Sequence, residues 1–276
     1  MSITLHSLTA TSGLLALRRH HDAMGVAMER LTTGKRINRA KDDPAGMIVA
    51  TNLGLRRMHL DAVIKKADQA SATLDAAEGG LAEVQSMLTD LEGLVVNSAN
   101  RGGMSDEERR ANEGAADSVL QAIDYLVGTF AFGGRPILAE GFEVHSADLN
   151  VSFAGLGDAQ APRDALGLRE LGLGESMNLM SGDLEAAQGA IKAASSKVAT
   201  MRAGIGNTQR YELGARMNAM RVEMENTAAA QSLIEDADWA HETAELIRSR
   251  VLADATMQAI QISRSHAADM VTALLG

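Results

Sequence analysis

The chain has 276 residues, of which 46% are hydrophobic but only 3% aromatic, with three prolines, no cysteine and a formal net charge of −10. The absence of cysteine excludes disulfide frameworks, thiol nucleophiles and zinc–thiolate sites. The acidic balance argues against nucleic acid as a partner, since phosphate binding needs a basic face. So few aromatics suit slender helices packed through small side chains better than the bulky core of a globular enzyme.

The opening, Met1-Ser-Ile-Thr-Leu-His6, lacks the charged and apolar regions of a cleavable signal peptide. No run approaches the roughly 18 apolar residues that read as a membrane span, so no membrane partner is expected. The short basic clusters Arg18-Arg19-His20-His21 and Arg56-Arg57 read as solvated helix faces. The first helix carries Leu14, Leu17, His21, Met24, Met28 and Leu31, spaced alternately three and four, and ends near Gly34. A polar connector, Arg39 to Asp43, follows, with Asp43 placed to cap the next helix and Pro44 at its first position.

That second helix, running to about Asn100, carries the strongest signal in the chain. Leu60, Val63, Ala67, Ala70, Leu74, Ala77, Leu81, Val84, Leu88, Leu91 and Val95 alternate three and four without a slip. A repeat of 3.5 residues keeps one seam of a helix against a partner along its whole length. Leu81, Leu88 and Leu91 are therefore assigned to a buried seam, and Asp90 to a different face. Arg101-Gly-Gly-Met104 breaks the helix, and Ser105-Asp-Glu-Glu108 is a capping box that starts the third. Ala116, Val119, Ile123, Leu126 and Phe130 are expected on its buried face.

Residues 131–175 change character. Glycines cluster, and Phe142/Val144 and Leu149/Val151/Phe153 alternate with period two, as half-buried strands do. Helical heptads return at Leu184, Ala187, Ile191, Ala194, Val198, Met201 and Ile205. They resume one residue out of phase at Leu213, Met217, Met220, Met224, Thr227, Gln231 and Ile234. The slip predicts a local change of winding near Gly204-Ile-Gly206. Asp236-Ala-Asp238 marks a break, and a last helix runs from Trp239 toward Leu275 with Leu246, Ile247 and Val251 among its apolar residues. The predicted fold is mainly α: a long antiparallel helical bundle or coiled coil of N- and C-terminal segments with a small β-hairpin region. It divides into 1–43 with 236–276, 44–130 with 178–235, and a β-rich segment 131–177.

Three enzyme-like fragments fail on spacing. Gly34-Lys35 lacks the earlier glycine and the following Ser/Thr of a phosphate-binding loop. His241-Glu242 has Glu245 where the second histidine of a zinc-protease motif must stand. Gly204-Ile-Gly206 has neither a third glycine nor a preceding strand. No catalytic, cofactor-binding or metal-binding residues are assigned, and the 15 methionines read as adaptable packing along helix seams.

Leu31-Thr-Thr-Gly-Lys-Arg-Ile-Asn-Arg-Ala-Lys-Asp-Asp-Pro-Ala-Gly46 resembles the N-terminal signature of bacterial flagellins. Ala76-Ala-Glu-Gly-Gly-Leu-Ala-Glu-Val84, Ser98-Ala-Asn100 and Phe132-Gly-Gly-Arg-Pro-Ile-Leu138 fall where similar residues occur in that family. Ile234-Glu-Asp-Ala-Asp-Trp-Ala-His-Glu242 resembles its C-terminal signature, and Met270-Val-Thr-Ala-Leu-Leu275 its leucine-rich tail. The resemblance implies a minimal flagellin that polymerises into the extracellular flagellar filament. It would leave the cell unfolded by the flagellar export route, with an export chaperone and the filament cap and junction proteins as further partners. It marks Gly34, Arg36, Asn38, Asp42, Asp43, Asp236 and Asp238 as signature residues. Leu14, Leu17, Met28, Leu31, Leu246, Ile247 and Val251, in 1–43 and 236–276, become inner-core assembly residues.

One departure stands out: Glu92 occupies the position where many flagellins carry an arginine that contacts the innate-immune Toll-like receptor for flagellin. A hook–filament junction protein shares the terminal helices and is the nearest alternative. A coiled-coil signalling module shares the alanine-rich heptads, but its helical tip would have to be the glycine-rich middle.

Overall fold

The computed structural model describes residues 2–100, 103–145, 149–157, 162–180 and 182–275, and side chains from 11 to 269 within those ranges, apart from 267. Helices α1 (Ser2–Thr33), α2 (Pro44–Ala99) and α3 (Asp106–Thr129) come first. Two strand pairs follow, β1 (Ala131–Phe132) with β2 (Arg135–Pro136) and β3 (Gly141–His145) with β4 (Asn150–Ala154). A short α4 (Pro162–Leu166) leads to α5 (Leu184–Asn207), a π-helical segment Thr208–Leu213, α6 (Gly214–Glu235) and α7 (Trp239–Leu275). The chain forms two compact units, one of residues 1–58 with 224–276 and one of 59–223.

In the 59–223 unit the α2 heptad is buried at every position. All eleven residues from Leu60 to Val95 are at most 3% exposed. Helix α5 runs antiparallel to α2: Gln85 donates to Ser195, and the Arg202 guanidinium meets Glu78 at 2.6 Å. It buries Ala187, Ile191, Ala194, Val198 and Ile205, while Leu184 and Met201 are half-buried at the edge of that face.

Helix α3 starts as expected, with Ser105 Oγ accepting from the Glu108 amide and the Glu108 carboxylate accepting from the Ser105 amide at 2.8 Å. Its buried face is a correction to the sequence reading. Glu113, Ala116, Leu120, Ile123 and Val127 are buried, whereas Val119, Leu126 and Phe130 are only half-buried. Both stripes have helical spacing and share Ala116 and Ile123. The contact with α2, marked by Asn112 Nδ2 donating to Ser98 Oγ at 3.5 Å, selects the neighbouring one.

The expected hairpin is β3–β4, with Phe142 opposite Phe153 and Val144 opposite Val151. The two phenylalanine rings lie 6.0 Å apart and anchor its buried face. The tighter β1–β2 hairpin turns on Gly133 and Gly134, with φ of 59° and 81°. Positive φ at both central residues is the type I′ requirement, which glycine meets without strain. Gly-Gly between two short runs is itself a hairpin-turn signal, more specific than the general clustering of glycine in this segment.

The heptad slip is absorbed where the helix winds as a π-turn, at Thr208–Leu213, just beyond Gly204-Ile-Gly206. Such a turn inserts one extra residue into a continuous helix. It brings Leu213 and Met220 back to the buried side.

In the unit of 1–58 with 224–276, α1 runs antiparallel to α7. A Cβ on Gly13 would meet Ile260 at 3.0 Å, and Arg30 pairs with Glu242 at 2.9 Å. The contact uses small residues: Ala27 and Ala253 are buried, and so are Ser249 and Glu242. This stripe lies one residue away from the predicted Leu14–Leu31 series. Small side chains let two helix backbones approach closely, so the larger residues are displaced to the flanks.

Candidate functional site: paired turns and unburied helix faces

The signature residues come together. Two chain reversals, α1 to α2 and α6 to α7, lie side by side and are joined through the backbone. Lys35 and Asp236 form an antiparallel bridge, the Arg36 amide donates to Glu235 O at 2.6 Å, and the Ala237 amide donates to Gly34 O at 2.9 Å. Gly34 ends α1 with φ of 72°, its amide donating to Arg30 O at 2.8 Å. A left-handed residue at this position closes a helix and is glycine by preference.

The side chains finish the junction. Arg36 Nη2 donates to Ile234 O at 2.6 Å, and Lys35 pairs with Glu235. Asn38 Nδ2 donates to Lys35 O at 2.9 Å, and Asp42 Oδ2 accepts from the Asn38 and Arg39 amides at 3.1 and 2.9 Å. Asp43 caps α2, its Oδ1 accepting from the Gly46 amide at 2.9 Å. Asp238 caps α7 in the same way, accepting from the Ala240 and His241 amides. Asp236 accepts from Ser232 Oγ at 2.5 Å. Gly46 has no room for a side chain, because a Cβ there would lie 2.4 Å from Asp43 Oδ2 and 2.8 Å from Ile37. The signature therefore specifies caps, a left-handed terminus and backbone pairing.

Charge adds to this geometry. The ammonium of Lys35, hydrogen-bonded to Glu235, holds that carboxyl below its ordinary value of 4.5. The Arg39 and Asn38 amides lower Asp42 from 3.8 in the same direction. A carboxylate with a depressed pKa in the folded state contributes stability above its unfolded value, and loses it as pH falls through the folded one. Acidification from pH 5 to pH 3 is therefore expected to loosen the paired turns. Amide hydrogen exchange at Arg36 and Ala237 should accelerate over that range, and Glu235→Gln should remove the part of the change due to Glu235. Unchanged protection at pH 3 would contradict this.

The assembly residues fall into two groups. Leu81, Leu88 and Leu91 are fully buried in the α2 seam. Leu14 and Met28 are 48% and 56% exposed, Ile247 and Val251 are 58% and 60% exposed, and Leu17, Leu31 and Leu246 are half-buried. Glu92 is half-buried beside Leu91. The side chain of Met270 and those of the closing residues lie outside the described set, as do Arg101 and Gly102. The enzyme-like fragments are occupied structurally: Glu242 is 4% exposed against Arg30, and Glu245 pairs with Arg248. Among the described residues there is no group of three metal-ligating side chains, and no helix is long and apolar enough to cross a membrane.

Terminal helices that meet through alanine and glycine while large apolar side chains stay outside are built for a subunit that finishes its core by assembly. The comparisons agree. Residues 6–142 match the family model of the bacterial flagellin N-terminal helical region. A flagellin of Listeria monocytogenes is 28% identical over 273 residues, covering 94% of each chain. A flagellar filament 30.7 kDa core protein of Treponema maltophilum is 24% identical over 98% of each. Polar flagellin F of Vibrio parahaemolyticus is 33% identical over 146 residues, 51% of this chain and 38% of the relative. The chain belongs to the bacterial flagellin family.

Proposed function

We infer that this chain, a structural subunit of the bacterial flagellar filament, assembles through the outer faces of α1 and α7. The observation that carries the reading is the exposure of Leu14, Leu15, Met28, Ile247, Val251 and Leu252 on helices that already pair with each other. Apolar surface of this extent marks an interaction site. Where the α1 patch of one copy meets the α7 patch of the next the contact is heterologous, and such contacts propagate as open helical filaments when they do not close. Full-length protein offered filament fragments as seeds should elongate them; failure to elongate would refute the reading. The chain is read as three parts: inner-core terminal helices 1–43 with 236–276, a long-helix bundle 44–130 with 178–235, and a β-rich segment 131–177.

Polymerisation at a distance from the cell requires export and protection beforehand. The same faces of α7 would aggregate if bare, and an amphipathic helix seated in a partner's groove is covered. A chaperone is assigned this role. Deleting residues 240–275 should abolish binding to the cognate flagellin chaperone in calorimetry, and undiminished binding would overturn the assignment. A head-to-tail polymer also leaves one unsatisfied interface at each end, which the junction protein and the cap would cover.

The half-buried Glu92 bears on host recognition. Arginine presents a planar fork of donors, whereas a carboxylate presents acceptors and the opposite charge. Left facing receptor acceptors it would cost about 1–3 kcal/mol. Monomer is expected to be a weak agonist in a receptor-reporter assay, with potency rising in Glu92→Arg combined with Gly93→Glu. Potency equal to that of an arginine-bearing flagellin would end this reading.

A further inference from the structure

A cleft of about 450 Å³ in the 59–223 unit lies between α2 and the two hairpins. Lys66 and Thr73 line one wall, and Phe132, Arg135 and Phe142 the other. Its charges are unbalanced. Lys65 pairs with Asp61 and Arg221 with Asp68, and Glu143, which lines the cleft 3.8 Å from His145, offsets only one of the two cations Lys66 and Arg135, so the lining stays net positive. Lys66 and Arg135 have no hydrogen-bond or ion-pair partner among the described residues. Phe132 stays 37% exposed at the mouth.

The opposite end of the same unit carries the opposite charge. There α3 begins with Asp106, Glu107 and Glu108, and α5 with its capping Asp183 and with Glu185. Helix α5 reaches that end because it pairs antiparallel with α2 through Ser195 and Arg202. Arg109 is engaged by Asp106, so Arg110 leaves these first turns net acidic. Glu107 has no partner among the described residues. From Ala70 at the cleft to the end of α2 at Ala99 is roughly 45 Å, at about 1.5 Å per residue. A basic cleft and an acidic tip at the two ends of one unit cannot satisfy each other within a chain. They are complementary between chains placed end to end.

We propose that the acidic first turns of α3 and α5 of one copy dock into the Lys66–Arg135 cleft of the next, forming the axial contact of the filament. This rests on the chain being a filament subunit, and it names a second interface besides the α1–α7 faces. Long-range attraction between the ends would orient incoming subunits, an effect on association rate that salt screens.

The chain's lack of cysteine gives a direct test. Filaments of the Glu107→Cys, Arg135→Cys double variant, oxidised, should yield a ladder of linear multimers, whereas either single variant should not. Filaments that form normally and give no ladder overturn the contact alone. If wild-type protein does not elongate seeds, the filament reading falls and takes the contact with it. Charge reversal supplies a second arm. Lys66→Glu with Arg135→Glu should slow seeded elongation about tenfold or more, and adding Glu107→Lys with Glu185→Lys to the same chain should recover most of the rate. Elongation of the cleft variant at the wild-type rate, or no recovery in the combined variant, would overturn the proposal.

Discussion

Leu88→Asp is expected to prevent the 59–223 unit from folding, while Asp90→Ala leaves it unchanged. Leu88 is fully buried in the α2 seam, between Val84 and Leu91. Truncating a buried leucine to alanine alone costs about 2–5 kcal/mol. A carboxylate in the same place adds the expense of removing a charge from water with no partner to receive it. Marginal stabilities of about 5–15 kcal/mol leave little room for such a loss. Asp90 is exposed two residues away. Thermal melts followed by circular dichroism, with seeded elongation as a second readout, separate the two variants. Equal tolerance of both would mean that the seam does not carry the fold.

Removing residues 1–30 or 245–276 is expected to abolish elongation while sparing the fold of the 59–223 unit. The first deletion takes away Ala27 and the Arg30 partner of the buried Glu242, and with them nearly all of α1. The second removes Ser249 and Ala253, which α1 packs against, and exposes the remainder of its face. Either loss destroys the helix pair on which the outer apolar faces are displayed. The melting transition of the α2–α5 seam should persist in both truncations, because none of its residues is lost. Efficient polymerisation by either truncation would contradict assembly through these faces.

The long seam was legible from spacing alone, since eleven positions in strict alternation permit only one phase. The shorter α3 was not. Leu120 and Leu126 compete there for the same face, and the choice depends on how α2 packs against it, which the spacing within α3 does not record. The α1–α7 contact was misphased for a related reason. Apolar residues that are large draw attention in a sequence, whereas the stripe that meets within the chain is of alanine, glycine and serine. The signature residues were recognisable from their resemblance, but local chemistry accounts only for Gly34 as a helix end, Asp43 as a cap before Pro44 and the break at Asp236-Ala-Asp238. The backbone pairing of Lys35 with Asp236 joins residues at opposite ends of the chain and leaves no local trace.

The π-turn at Thr208–Leu213 has a consequence for how the chain tolerates change. One residue beyond the heptad count rotates everything downstream by about 100° around the helix axis. In a solitary protein such an error spoils one surface, but in a polymer it is reproduced in every copy along the length. By looping the surplus residue out of the hydrogen-bond ladder, the turn keeps Leu213 and Met220 in phase with Ile205. Insertions and deletions of single residues should therefore be absorbed at this one segment and forbidden along the uninterrupted α2 seam facing it.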